Sequence, residues 1–449
     1  MESEVDQQVT LSNKITVQHR LRLFETNGHP PSTSQKQCVF PSNGYKVHNH
    51  QLLTMNKHDN PEQRRRRLYR VALNVFNKKP DRGIQLLIDW RFVDDHPVAI
   101  AKFILTRRGL GKKMIGEFLG TLRSEFHAAV LRAVLSEIEM RSQEIDEALR
   151  EMIHFFQLPS EAQKIDYIMQ AFAHRYYVCN EYKLSTEVTT DAIYVLSFAI
   201  IMLNTDLHSP SIKSTQRMTV GQFLKNTWNA FDTHVFDEET LTGIYDRIKK
   251  AELKTGNDHV SQVAKVEQTI IGRDKPRLIE QHRRLICYCR VNEIASTTKK
   301  QALSAHQREI FLFNDMILIT KSVTNRRKDT AQYVLKHWAA LLGLKIEEFD
   351  GGELFPFAMR VVFPDHQTTF LLNAKNATDR VRFIIDVKES VAECEENEKI
   401  RLSFELDRQA RREAVRTPSD SSSLDTTDND SKNKSNSTNS SLRQTIRQM

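Results

Sequence analysis

Long apolar runs are missing from this 449-residue sequence. The longest, Val195–Leu203, is interrupted by Ser197 and falls well short of the ~18 residues that a membrane span needs. Cysteine is scarce. Five residues (Cys38, Cys179, Cys287, Cys289, Cys394) form an odd, scattered set, which argues against a disulfide framework. Cys287 and Cys289 have no second pair at metal-ligand spacing, so no zinc site is expected. With only 14 Gly and 12 Pro, collagen-like and Gly/Pro-rich low-complexity chains are excluded. Met1-Glu2-Ser3-Glu4 lacks the basic and apolar regions of a signal peptide. These absences predict a soluble intracellular protein of two or three folding units.

Catalytic signatures are missing too. There is no Gly-rich phosphate loop, nucleophile elbow or H-E-x-x-H, and the 16 histidines fall into no metal-ligand spacing. No cofactor, no metal and no covalent chemistry are expected.

What is present is organised in blocks. Residues 1–60 carry breakers such as His29-Pro30-Pro31 and no sustained periodicity, and read as mostly disordered. Residues 61–250 read as successive helices, with apolar residues at three- and four-residue spacing in Val98–Leu105, Met114–Leu119 and Val130–Ile138. Residues 251–281 form a linker in which Val263, Val266 and Ile270 mark a short amphipathic helix. From about His282 the period becomes two, and Arg308–Phe313 meets Met316–Thr320 across the turn pair Asn314-Asp315. Helical spacing returns in Val381, Ile384, Ile385, Lys388 and Val391. The expected fold is multidomain: an all-α domain, then a β-sandwich or barrel over 282–392 closed by a C-terminal helix. A helical extension over 393–415 and a disordered Ser/Thr/Asn-rich tail over 416–449 follow.

The net charge of +8 is unevenly spread. Residues 272–390 hold 20 basic against 14 acidic groups, while 61–271 are nearly balanced. Nucleic-acid binding would require aromatics among the basic loops, and Lys299-Lys300 and Arg326-Arg327-Lys328 have none. No nucleic-acid partner is expected. The Arg64–Arg67 run at a helix start reads as a solvated face.

Two helical segments stand out. In Phe156-Gln157-Leu158-Pro159-Ser160-Glu161-Ala162-Gln163-Lys164-Ile165-Asp166, Ser160 can cap a helix and Gln163 complete the capping box. The segment Asp191–Pro210 is apolar all round, as a buried central helix would be. Its stripe Tyr194, Phe198, Met202 suits either core packing or a hydrophobic partner groove.

In order and spacing the pair resembles the two signature motifs of the Sec-seven domain, the helical exchange module for Arf-class small GTPases. The family pattern is roughly F-R-L-P-G-E-A-Q-K-I-D-R followed by L-S-F-A-I-I-M-L-N-T-D-L-H-N-P. The resemblance covers about 61–250 and continues into a pleckstrin-homology (PH) domain at 282–392, where Arg308–Asp315 is characteristic. Arg67-Leu68-Tyr69-Arg70, Leu73–Pro80 and Asp258–Val263 are most similar to the BRAG/IQSEC branch. Residues 1–60 show no IQ-type calmodulin motif of the kind that branch often carries upstream.

The resemblance implies a guanine-nucleotide exchange factor, a regulator and not an enzyme, acting on an Arf-class small GTPase at anionic membranes in vesicle traffic. Glu161 becomes an acidic finger that expels GDP. Asp191, Tyr194, Phe198, Ala199, Met202 and Ser209 become the GTPase-binding groove. A PH domain implies contact with anionic phospholipids or phosphoinositides through Arg290, Lys299, Lys300, Arg308, Arg326, Arg327 and Lys328. The implied location is cytoplasmic, peripheral to a membrane. Ser160 stands where the family usually has Gly, implying strain if the turn needs positive φ, and Gln157 replaces a usual Arg. If these changes disable the finger, the alternative is a non-catalytic adaptor that binds the GTPase without exchange.

Overall fold

The computed structural model of the protein describes residues 60–231, 235–302, 306–324, 331–365 and 367–416. The expectations for the N-terminal region, for the tail after 416 and for Arg326, Arg327 and Lys328 lie outside these residues. Prolines set the first three helix starts, where a missing N–H leaves no bond unmade. Asn60 caps α1 (Pro61–Phe76) by accepting from the Glu62 amide at 3.0 Å. Pro80 and Pro97 open α2 (Pro80–Asp89) and α3 (Pro97–Thr106). Next come α4 (Lys112–Leu119), α5 (Glu125–Glu137) and α6 (Ile145–Phe155). Two 19-residue helices follow, α7 (Ala162–Asn180) and α8 (Thr190–His208), and then α9 (Val220–Trp228) and α10 (Glu238–Lys250). Phe76, Phe118, Phe156, Phe172, Tyr176 and Phe223 fill the helical core. Asp146, fully buried, is held by both arms of Arg247 at 2.7 and 2.9 Å, and this pair ties α6 to α10.

By length and composition α8 is apolar enough to cross a membrane, more than the Val195–Leu203 run suggests, yet it is not apolar on all sides in its surroundings. Ala192, Ile193, Leu196, Ile200, Leu203 and Leu207 are buried. Tyr194, Phe198 and Ala199 are only half-buried and Met202 is 45% exposed. The core-packing reading of the stripe therefore gives way to an open face.

The linker is a docked element. Asp258 caps α11 (His259–Thr269), and the strand β1 (Ile270–Ile271) that follows pairs in parallel with β5 (Ala331–Ala340). Ile270 thus belongs to a strand and not to the amphipathic helix. β2 (Leu285–Glu293), β3 (Gln307–Phe313), β4 (Met316–Thr324), β6 (Lys345–Glu348), β7 (Ala358–Val362) and β8 (Thr369–Asn373) complete one sheet. Its order is β1-β5-β4-β3-β2-β8-β7-β6, so β1 and β6 are edges and the sheet is open, not a closed barrel. The apolar run in β3 has two faces to fill. Ile310 and Leu312 enter a core with Ile317, Ile319 and Val361 under the C-terminal helix, α12 (Ala377–Arg416). Phe311 and Phe313 enter a second core, on the other face, with Val263, Ile270 and Leu278 of the linker. α12 presents Phe383, Ile384 and Val387 to the sheet, while Val381 and Ile385 are exposed, so the expected apolar face is rotated. Burial pushes the Cys287 and Cys394 thiols up to about 12, which keeps them protonated near neutral pH.

Residues 60–399 lie within one compact unit, and the remaining turns of α12 belong to a second, in which Arg401 pairs with Glu405 at 2.7 Å. Within the first unit α1 and α12 are joined by ion pairs. Arg67, buried, donates to Glu389 at 3.0 and 2.9 Å, and Gln63 adds a bond at 2.8 Å. Arg70 bonds Glu389 and reaches Glu393 at 2.7 Å, and Arg284 also bonds Glu393. The Arg64–Arg67 run is therefore not uniformly solvated: its last member faces a carboxylate 322 residues away. Glu393, 2% exposed, is the acceptor that two guanidinium groups share. Glu393→Ala leaves both facing a buried void and is expected to cost about 3 kcal/mol of stability. A urea midpoint unchanged from wild type would refute this.

Candidate functional site

The chain between α6 and α7 is pressed onto α4. Phe156 is buried, and the Gln157 amide donates to the Lys112 carbonyl at 3.1 Å. Two glycines, Gly116 in α4 and Gly120 at its C-cap, permit this approach. A Cβ on Gly116 would lie 1.8 Å from the Gln157 carbonyl oxygen, and one on Gly120 would lie 3.1 Å from Pro159 Cγ and Lys164 Cβ. Pro159 is buried, whereas Ser160 and Glu161 project into solvent.

Here the structure corrects a local expectation. Ser160 is not the N-cap; Glu161 holds that position, with no side-chain cap bond, and α7 begins at Ala162. Ser160 is not among the residues with positive φ, so serine in place of glycine costs no backbone strain here. The Glu161 carboxylate, 54% exposed, is left without a structural duty in the helix start. Its ion-pair partner is Lys164, 3.3 Å away and one turn on. Lys164 is closer to Glu117 of α4, at 2.8 Å. That hydrogen bond above all, opposed by burial and aided by Glu161, holds the Lys164 ammonium charged, with its pKa above the ordinary lysine value.

α8 packs beside α7. The Tyr194 hydroxyl donates to Asp166, five residues beyond Glu161, so the open stripe begins about 7.5 Å along the helix from Glu161. Tyr194 and Phe198 meet edge-to-face, 5.1 Å between centroids. Asp191 is exposed one turn before Tyr194, and Thr189 caps α8 through its hydroxyl at 3.2 Å. At the other end Ser209 caps α8 by donating to the Thr205 carbonyl, and its hydroxyl contacts Ser211 at 2.7 Å. A carboxylate on a rigid loop beside an apolar, aromatic-lined strip suits a protein segment, not a small molecule.

In the sheet domain the basic residues do not share one face. Arg290 lies opposite Glu309 in the register, and Arg308 opposite Val291. Because side chains alternate, Arg290 and Arg308 point to opposite faces of the β2–β3 hairpin. Arg290 donates to buried Glu309 at 2.8 Å, which Tyr288 also bonds at 2.5 Å. Arg308 pairs with Glu293 at 2.5 Å. Lys299 and Lys300 are exposed between these strands. Among the described residues no His/Cys/Asp/Glu cluster could hold a metal ion.

Sequence reasoning missed Glu117, Gly116, Gly120 and Asp166 as parts of the site. The four-residue spacing of the two glycines was a visible signal; Glu117 offered none, because its partner is 47 residues away.

The structure thus defines a helical domain with an exposed acidic loop beside an open apolar stripe, joined to a linker-backed sheet domain. The comparisons specify the class: residues 65–253 match the Sec7 domain and residues 274–409 a PH domain of the IQ_SEC7_PH type, and the chain belongs to this Sec7–PH family. It is 40% identical over 197 residues to "Brefeldin A-inhibited guanine nucleotide-exchange protein 3" of Arabidopsis thaliana, a match to 43% of this chain and 11% of the relative. It is 34% identical over 248 residues to "Brefeldin A-inhibited guanine nucleotide-exchange protein 1" of Homo sapiens, covering 54% of this chain and 13% of the relative. The chain therefore spans little more than a tenth of the length of these curated relatives. Among solved structures it is similar to the Sec7p catalytic domain, at 35% identity over 40% of this chain and 93% of that one, TM-score 0.37. It is also similar to a Sec7 domain in a structure of ARF1-GDP bound to Sec7 domain complexed with brefeldin A, at 31% identity over 43% and 96%, TM-score 0.39.

Proposed function

We propose that the protein is a guanine-nucleotide exchange factor for an Arf-class small GTPase, working at anionic membranes from the cytoplasmic side, in vesicle traffic and endocytosis. The observation that carries this reading is the exposed Glu161 carboxylate, free of any capping role, on a loop braced beside the open stripe of α8. A GTPase holds its nucleotide through Mg²⁺ and a P-loop lysine on the phosphates. A carboxylate entering that site repels the β-phosphate and competes for both cations. The groove residues Tyr194, Phe198, Ala199 and Met202 take up a mobile GTPase segment, with Asp191 and Ser209 at its ends setting orientation. The similarity to guanine nucleotide-exchange proteins supports the reaction. The ARF1-GDP complex of a similar Sec7 domain supports the partner.

The PH domain supplies the membrane contact. Lys299, Lys300 and Arg308, together with Arg326, Arg327 and Lys328, attract anionic head groups by about 1 kcal/mol per basic residue near the surface. Arg290 and Arg308 are each paired with a glutamate already, and the exposed Lys299 and Lys300 contribute most. The test is release of a fluorescent GDP analogue from an Arf-class GTPase, with neutral vesicles and with vesicles carrying phosphoinositide. Release accelerated by the protein, and further by the anionic vesicles, is the expected result. Binding without acceleration would convert the reading to that of an adaptor.

A further inference from the structure

Lys164 is one cation between two carboxylates, and the geometry says which of them it serves. Its Nζ lies 2.8 Å from Glu117 and 3.3 Å from Glu161. The Glu117 contact is a hydrogen bond from a partly shielded lysine to a partly shielded acid, whereas Glu161 is 54% exposed. Charge-assisted bonds strengthen as water is excluded, so the nearer and drier acceptor claims the proton donor. Glu117 is fixed in space: the glycine before it on α4 is in contact with the Gln157 carbonyl, and the backbone of Lys112 accepts from the Gln157 amide. Without Glu117, the lysine has Glu161 as its remaining acidic partner in the i, i+3 pair.

We propose that Glu117 is a positioning residue for exchange: by holding Lys164 on α4 it leaves the Glu161 charge uncompensated for its encounter with the nucleotide phosphates. The triad then carries a net charge of −1, displayed at its outer end. This rests on the exchange reading above. It turns a buttress that looks purely structural into the element that keeps the finger acidic.

The test is GDP release from an Arf-class GTPase by the full chain, with the chain titrated to separate kcat from KM. Glu117→Gln keeps the shape of the side chain but frees Lys164 to neutralise Glu161. It is expected to lower kcat by roughly three- to fivefold, the upper end for one added exposed ion pair, with KM unchanged because the groove is untouched. In the Glu117→Gln background, Lys164→Met removes the neutralising cation and is expected to return kcat to within about twofold of wild type, an electrostatic rescue. A Glu117→Gln variant as fast as wild type would overturn the proposal. So would a double variant as slow as, or slower than, Glu117→Gln, because that pattern marks a bracing role alone. Glu161→Lys separates the levels: if it exchanges at the wild-type rate, the exchange reading itself falls. If it is inactive while Glu117→Gln is normal, only the positioning role does.

Discussion

Glu161→Lys is expected to reduce the rate of GDP release by about three orders of magnitude or more while leaving the fold intact. Like charges about 4 Å apart in a partly dry site interact by on the order of 4 kcal/mol at an effective dielectric of 20. Each ~1.4 kcal/mol of barrier is a factor of ten in rate, so losing that repulsion alone accounts for about a thousandfold. The introduced ammonium goes further, since it attracts the phosphates it should expel. Stability is insulated from the change. Glu161 is 54% exposed and makes no cap bond, and its pair with Lys164 is of the exposed kind. Such a pair is worth about 0.2–1 kcal/mol. Stopped-flow release of the fluorescent nucleotide checks the rate and a thermal melt checks the fold. Equal release by variant and wild type would sink the role of Glu161, and a collapsed melt would show that the loop depends on this carboxylate in a way the structure does not indicate.

What the sequence made legible is local. The helical spacing in Val98–Leu105, Met114–Leu119 and Val130–Ile138, the Asn314-Asp315 turn and the alternation across β3 and β4 each act over a few residues, and each is found where the pattern put it. The finger segment and the stripe were legible as motifs for the same reason. What failed were statements about surroundings. Residues 191–210 are apolar enough to be buried on every side, and only the packing of the neighbouring helices leaves Tyr194 and Met202 at the surface. Arg67 looked like one of four solvated arginines until α12 supplied Glu389. Ser160 had the right neighbours for a cap, but docking on α4 made Glu161 the first residue of the helix start. Arg290 and Arg308 flank one loop in sequence, and the pleat turns them to opposite faces. The linker periodicity announced a helix but not that Val263 would cover the outer face of β3 and β4. In each case a residue's own propensity was readable, and its partner came from more than a dozen residues away.

Three glycine-to-alanine changes separate the docking of the finger loop from helix propensity. Within a helix alanine is favoured over glycine by up to about 1 kcal/mol, so with free space the changes at Gly116 and Gly221 should stabilise, while Gly120, the C-cap of α4, has less to gain. Gly221 in α9 has that space, with nothing within 4 Å of an added Cβ, and its variant is expected to gain a few tenths of a kcal/mol or more. Gly120 is intermediate: the added carbon meets Pro159 and Lys164 side-chain atoms at 3.1 Å, and the gain and the crowding should nearly cancel. At Gly116 the added carbon would lie 1.8 Å from the Gln157 carbonyl oxygen, which is backbone and is anchored by its own amide to Lys112. Ordinary contact requires more than an ångström of retreat, and the backbone that must yield is that of the segment leading to Glu161. Overpacking of this kind costs about 1–3 kcal/mol, which exceeds the propensity gain. The effect on exchange should be larger still, because a misplacement of about 1 Å at a reacting group costs on the order of a hundredfold. Gly116→Ala is therefore expected to be folded, less stable than wild type and nearly inactive in GDP release, while Gly221→Ala exchanges normally. If urea midpoints and release rates of the two variants coincide, the loop is not braced by α4, and the geometry that presents Glu161 must be held by something other than the close approach of Gly116 to Gln157.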